Sequence, residues 1–200
     1  MALCFVHTAA GYLAYEGARP VETHHPGLLA AAVLLANGPD LDFLPGILVG
    51  HPGAYHRGFT HTLAAVVAVA AAVLVVGRVR RRPARAVARA ALWAGAVYAS
   101  HLLLDFFTSD VKPPSGGRFL WPLSEAYYLS PVTPLREIII DPTSRLAFVR
   151  SLLTPQTLGV WAEEVAILVG TVVAVHAARA WRGSVGALVL PLVHWIVFES

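Results

Sequence analysis

Residues 61–77, HTLAAVVAVAAAVLVVG, contain no charged side chain. Ala86–Phe107 and Leu158–Ala178 are similarly apolar and longer, and Val185–Phe198 is a shorter run interrupted by Pro191. Crossing a bilayer as a helix takes about 20 residues, with a range of about 17–25. Runs of this length confine the chain to an all-α, multi-pass transmembrane bundle of about four spans. Composition agrees, since 56% of the residues are hydrophobic and only 14% are charged, too few to cover a soluble domain. Residues 2–15 and 27–38 are apolar but too short to cross upright, and they read as N-terminal helices packed over or dipping into the bundle. The 200 residues form one domain.

Breaks between the runs are clear. Asn37-Gly38-Pro39 ends the second short helix with a glycine cap and a proline. The basic turn Arg78–Arg85 joins the first two spans, and Thr108–Gln156 is a long Pro- and Gly-rich connection containing amphipathic pieces such as PLREIII. Arg78, Arg80, Arg81, Arg82 and Arg85 mark one pair of helix ends, and Arg179 and Arg182 mark another. The positive-inside rule places both clusters in the cytoplasm, which puts 108–156 on the external face. A formal charge of +3 is too small an excess to indicate nucleic-acid binding. The single Cys4 excludes an intrachain disulfide and a Cys-rich zinc ribbon. The N-terminus has no basic region of the kind that opens a cleaved signal peptide.

Polar side chains are costly in such a chain, so their grouping carries the chemistry. Three of the five aspartates lie in GPDLD (38–42) and HLLLD (101–105). His101 and Asp105 are four apart and project from one helix face, a spacing that serves two ligands of one ion or a helix-stabilising pair. His56 and His61 frame HRGFTH at the head of the first span. The antiparallel second span brings His101 and Asp105 to the same membrane face. Five residues on a continuous helix would set His56 and His61 roughly 140° apart. With Thr60 as N-cap, His56 falls on the loop and His61 in the first turn. Asp40 and Asp42, on an extended segment after Pro39, point to opposite sides. One of them ligates and the other orients a histidine or acts as general base; Asp42 is taken as the ligand and Asp40 for the other roles.

A thiolate-free set of His and carboxylate ligands suits zinc, with manganese or iron as alternatives. Arg57, beside His56, is placed to steady a phosphate oxygen, and Arg118 and Trp121 on the external connection to shape a substrate mouth. His24, His25, His51, His176 and His194 have no motif around them. GxSxG, HExxH and Gly-rich phosphate loops are absent, which removes the serine hydrolase, metalloprotease and NTPase readings.

His7 in the first helix, GPDLD, HRGFTH, HLLLD and RFLWPLS (118–124) together resemble the YdjM family. Its members are inner-membrane proteins described as metal-dependent hydrolases, some under LexA control. The resemblance covers about residues 1–125. That family is in turn similar to the helical zinc-dependent phospholipase C and P1 nuclease group, through the Asp42–His56 spacing and the HxxxD. The resemblance implies that Asp42, His56, His101 and Asp105 hold one ion and that Asp105 bridges to a second held by His7, with His61 nearby. The later ligands for a third zinc are missing, so one or two divalent ions are expected. The implied activity is hydrolysis of a phosphoester of a lipid or envelope component at the external face of the plasma membrane. Two rivals use the same residues: an ion or proton transporter, and a membrane scaffold tied by a structural metal.

Overall fold

A computed structural model describes residues 4–18 and 24–198, with side chains described as far as Trp181. Helices dominate: α1 (Cys4–Ala18), α2 (Pro26–Asn37), α3 (Phe43–Val49), α4 (Leu63–Val79), α5 (Ala84–Phe106), α6 (Arg145–Ser151) and α7 (Pro155–Phe198). No strand occurs among the described residues, only two isolated bridges, Thr108 with Leu135 and Gly117 with Tyr128. The expected helical bundle is what the chain forms.

Its division into spans differs from the sequence reading. Among the described residues, three stretches are long and apolar enough to cross a membrane: Pro26–Val49, Ala84–Phe106 and Pro155–Trp181. The first is the short helix read as 27–38, prolonged by a 3₁₀ turn (Gly38–Asp42) and α3. Helix α2 does end at Asn37 with Gly38 as its C-cap, though Gly38 is right-handed (φ −55°). Helix α4 has 17 residues, the lower limit of a span. Helix α7 continues through the expected boundary near Arg182, where one glycine and no proline stand, too weak a signal to stop it. The side chains of Pro191 and His194 lie outside the described residues.

Small residues let the helices approach. A Cβ on Gly11 of α1 would lie 2.8 Å from the Ala32 carbonyl of α2. One on Gly95 of α5 would meet Ala70 of α4 at 3.4 Å. Buried Ala9, Ala32, Ala36, Ala65, Ala91 and Ala94 continue the pattern, as expected where packing rather than water exclusion joins helices. Val67, Val75, Leu92, Val169 and Val173 face outward, where lipid replaces water as the contact.

Tie points set the directions. Glu164 accepts the Val6 N–H at 3.2 Å, and Arg179 pairs with Glu16 at 2.6 Å, so α1 and α7 run parallel. The Trp93 indole donates to the Ala14 carbonyl at 3.3 Å, and the Ala36 carbonyl lies 2.8 Å from His101 Nδ1. Thus α1, α4 and α7 run one way and α2 and α5 the other. The beginnings of α1 and α4 meet the ends of α2 and α5, while Arg78–Arg89 and Arg179 gather at the opposite end. The 108–156 connection lies over the first end, where Ile138 packs on Val160 beside Phe5 and Trp161. A reporter fused after Arg82 is therefore expected to score cytoplasmic and one near Ser115 external. The same side for both would contradict the antiparallel α4–α5 pair.

Candidate metal centre

The Gly38–Asp42 segment carries Pro39 in its first turn, with no N–H to continue α2, and tightens into a 3₁₀ turn instead of the extended conformation expected. The tighter turn still separates the two carboxylates. Asp42 turns toward residues 56–61 and Asp40 toward α5. Thr62, not Thr60, caps α4 by accepting the Ala65 N–H at 3.1 Å, which leaves His61 in a 3₁₀ turn just before the helix. Thr60 instead donates its hydroxyl to Asp42 at 2.8 Å, and its carbonyl accepts from the Tyr98 hydroxyl at 2.8 Å.

These turns bring His7, Asp40, Asp42, His56, His61, His101 and Asp105 to one place at the end of the bundle. His7, His61 and His101 are fully buried, and Asp42 and Asp105 nearly so. His101 Nδ1 donates to the Ala36 carbonyl at 2.8 Å, which leaves the Nε2 lone pair free. His56 Nδ1 and His61 Nδ1 both reach Asp42, at 3.0 and 3.2 Å, so their Nε2 atoms are also directed inward. Burial holds the His56 imidazole below its ordinary range, against the opposing pull of Asp42, and a neutral ring keeps that lone pair available. Phe43 stacks on His56 at 4.0 Å and His7 on His101 at 3.7 Å, which fixes the ring planes.

The inward atoms have no hydrogen-bond partner: Nε2 of His7, His56, His61 and His101, Asp40 Oδ1 and both oxygens of Asp105. Their separations are informative. His61 Nε2 lies 3.4 Å from Asp40 Oδ1 and 3.7 Å from Asp105 Oδ2. His101 Nε2 lies 3.5 and 3.6 Å from the same two oxygens. A charged imidazolium–carboxylate hydrogen bond would be about 2.7–2.9 Å. Two ligands of one tetrahedral zinc, each bonded at about 2.0–2.1 Å, stand about 3.4 Å apart. The four contacts fit the second distance. His7 Nε2 approaches the other oxygen, Asp105 Oδ1, at 3.8 Å, so Asp105 faces two sets of nitrogens. Three carboxylates buried together are expensive, and a cation held among them would offset that cost.

Arg57 adopts a left-handed backbone (φ 59°), uncommon for a residue with a side chain. Its guanidinium pairs with Asp110 and donates to the Gly116 carbonyl at 3.3 Å. Asp110 also accepts the Gly116 N–H at 2.8 Å; burial opposes its ionisation, but this bond and Arg57 together hold its carboxyl below the usual range. Arg57 thereby borders a narrow slot that reaches His61 and Asp105 past Gly116, Gly117 and Phe119. Outside lies a cleft of ≈ 410 Å³ bordered by His56, Arg57, Phe59 and Arg118. Arg118 pairs with Glu125 at 2.8 Å, and Trp121 meets Phe59 edge-on at 6.3 Å on an adjoining surface. His176 sits on α7 with its Nδ1 2.9 Å from the Val172 carbonyl, outside this cluster.

A family model described as YdjM inner membrane protein matches residues 1–182. The chain belongs to the YdjM family. Membership thus extends well past residue 125, where the recognisable motifs stop. Another YdjM-type protein, Inner membrane protein YbcI of Escherichia coli (strain K12), is 35% identical over 109 residues. That match takes in 53% of this chain and 60% of the relative, so the chain spans about three fifths of that protein's length. No solved structure matches the chain. With the family established, the chain is an inner-membrane, multi-pass protein.

Thr60, Tyr98 and Asp110 were not anticipated. Thr60 was read only as a cap, though it lies inside HRGFTH. Asp110 is far in sequence from the arginine it holds, and only its charge near the end of an apolar span marked it.

Proposed function

We propose that this YdjM protein is a membrane-bound, metal-dependent hydrolase acting on a phosphoester of a lipid or envelope component. One observation carries the reading: unpaired, buried imidazole nitrogens and carboxylate oxygens converge at metal-ligand spacing, beside an arginine that borders the slot leading to His61 and Asp105. Asp40, His61, His101 and Asp105 would hold one ion, zinc by donor type. His7, with the other oxygen of Asp105, would hold a second. Compared with the sequence assignment, Asp40 and Asp42 exchange roles. Asp42 is occupied by His56, His61 and Thr60, and it would keep the two rings in the tautomer that presents Nε2. His56 Nε2 stands beside the Asp40–His61 group, where it can ligate or take a proton from substrate water.

When bound, a divalent ion supplies Lewis acidity and lowers the pKa of water toward about 7. The protein supplies position and charge. Arg57, braced by Asp110, would balance a phosphate oxygen, while Arg118 and Trp121 flank the outer cleft. A scaffold reading also has an observation behind it, because His61, His101, Asp40 and Asp105, with four of their separations at 3.4–3.7 Å, can close a structural site.

The test uses full-length protein in detergent, supplied with zinc or manganese and presented with phospholipid and aryl phosphodiester substrates. Activity is expected, with loss in chelator and recovery on adding metal. Arg57→Gln is expected to lower kcat/KM about 100-fold, the scale of losing one preorganised charge at a developing anion, with metal content unchanged. Full metal occupancy with no phosphoester turned over would favour the scaffold.

A further inference from the structure

The opposite end of the bundle carries a second feature, independent of the metal centre. Between α4 and α5, next to their connecting turn, lies a groove of ≈ 560 Å³ bordered by Val73, Val76, Ala86, Val87, Arg80 and Arg82. Gly77 and Val87 bring the two helices together there, since a Cβ on Gly77 would lie 2.6 Å from the valine methyls. Small side chains keep the rest of the groove open, and it faces outward on a helix pair that the family places in a membrane. Six arginines lie between Gly77 and Ala90 (78, 80, 81, 82, 85 and 89) with no acidic residue among them. All six are exposed, and none forms an ion pair among the described residues.

We infer that this groove binds one anionic phospholipid, its acyl chain along Val73, Val76 and Val87 and its phosphate at Arg80 and Arg82. The occupant follows from complementarity in two respects at once. The walls are apolar, as contact with a hydrocarbon chain requires, and the cations stand at the helix turn, where a headgroup lies. The positive-inside rule puts that turn in the leaflet facing the cytoplasm, where anionic headgroups attract basic segments. A soluble phosphate would satisfy the arginines but not the walls, and a zwitterionic lipid would do the reverse.

Native mass spectrometry of the full chain in detergent tests this, with dioleoyl phosphatidylglycerol and dioleoyl phosphatidylcholine as probes. Phosphatidylglycerol is expected to be retained selectively, with one copy bound most tightly. Arg80→Gln with Arg82→Gln should weaken retention roughly 10- to 30-fold, the scale of two cations near an anionic lipid. Arg78→Gln with Arg85→Gln removes the same charge away from the groove and should cost no more than about 3-fold at physiological salt. Ala86→Trp keeps every arginine but fills the groove, and it should lower retention as the first pair does. Excess glycerol phosphate should not displace the lipid. Equal retention of the two lipids, equal loss in both arginine pairs, no loss in Ala86→Trp, or displacement by glycerol phosphate would each overturn the assignment.

Discussion

Asp105→Ala is expected to empty the metal centre and to reverse its effect on stability with the presence of metal. Both Asp105 oxygens are buried without a hydrogen-bond partner, one near His7 and the other near His61 and His101. Removing them takes a ligand from each candidate ion. Metal content should fall to background and any hydrolytic activity by about 1,000-fold or more, the scale of losing an essential catalytic part. In zinc the variant should melt below wild type, because an ion that binds only the folded state stabilises it by mass action. In chelator the order should invert or vanish, since the wild type then buries the Asp105 carboxylate without the ion that would offset its charge. His176→Ala, on α7 away from the cluster, should change neither. Elemental analysis, a phosphodiester assay and thermal unfolding with and without chelator read these outcomes. Equal destabilisation of Asp105→Ala in both conditions would mean that the carboxylate serves packing alone.

Gly11→Val is expected to damage the centre without touching a ligand. Its side chain would press on the Ala32 carbonyl and on Ala36 Cβ, which a Cβ at position 11 would already approach at 3.1 Å. The Ala36 carbonyl holds His101 Nδ1, and His7 stands one turn before Gly11 on α1. Forcing α1 and α2 apart therefore moves two imidazoles at once. Overpacking of this kind costs about 1–3 kcal/mol, and loss of a ligand's orienting partner typically costs 10–100-fold in metal affinity, so about that drop is expected. Gly17→Val meets nothing within 4 Å and serves as the control. Competition with a zinc-binding dye measures the affinity, and matching curves for wild type and Gly11→Val would show that the contact has slack.

Much of this arrangement was legible in the sequence because polar residues are rare in it. In a chain this apolar, GPDLD, HRGFTH and HLLLD stand out, and the arginine turn fixes the antiparallel pairing that brings two of them together. Helix lengths were less legible. Pro39 looked like a stop, yet a 3₁₀ turn carries the helical path into α3, and the gap between the apolar runs ending at Ala178 and beginning at Val185 was read as a boundary where α7 runs on. The division of labour between Asp40 and Asp42 was hidden for a related reason. An extended segment and a 3₁₀ turn both separate the two side chains, but only the turn's packing against Thr60, His56 and His61 decides which way each faces. Tertiary contacts such as Arg57 with Asp110, or His101 with the Ala36 carbonyl, leave no periodic trace at all.

The central claim is that the His/Asp cluster holds a divalent metal. Elemental analysis of the full-length detergent-solubilised protein, supplied with zinc and then freed of excess by gel filtration, tests it most directly. The account predicts one to two zinc ions per chain, falling to background in Asp105→Ala at unchanged elution volume. A folded wild-type protein that retains no zinc, and none after the same treatment with manganese or iron, would contradict it.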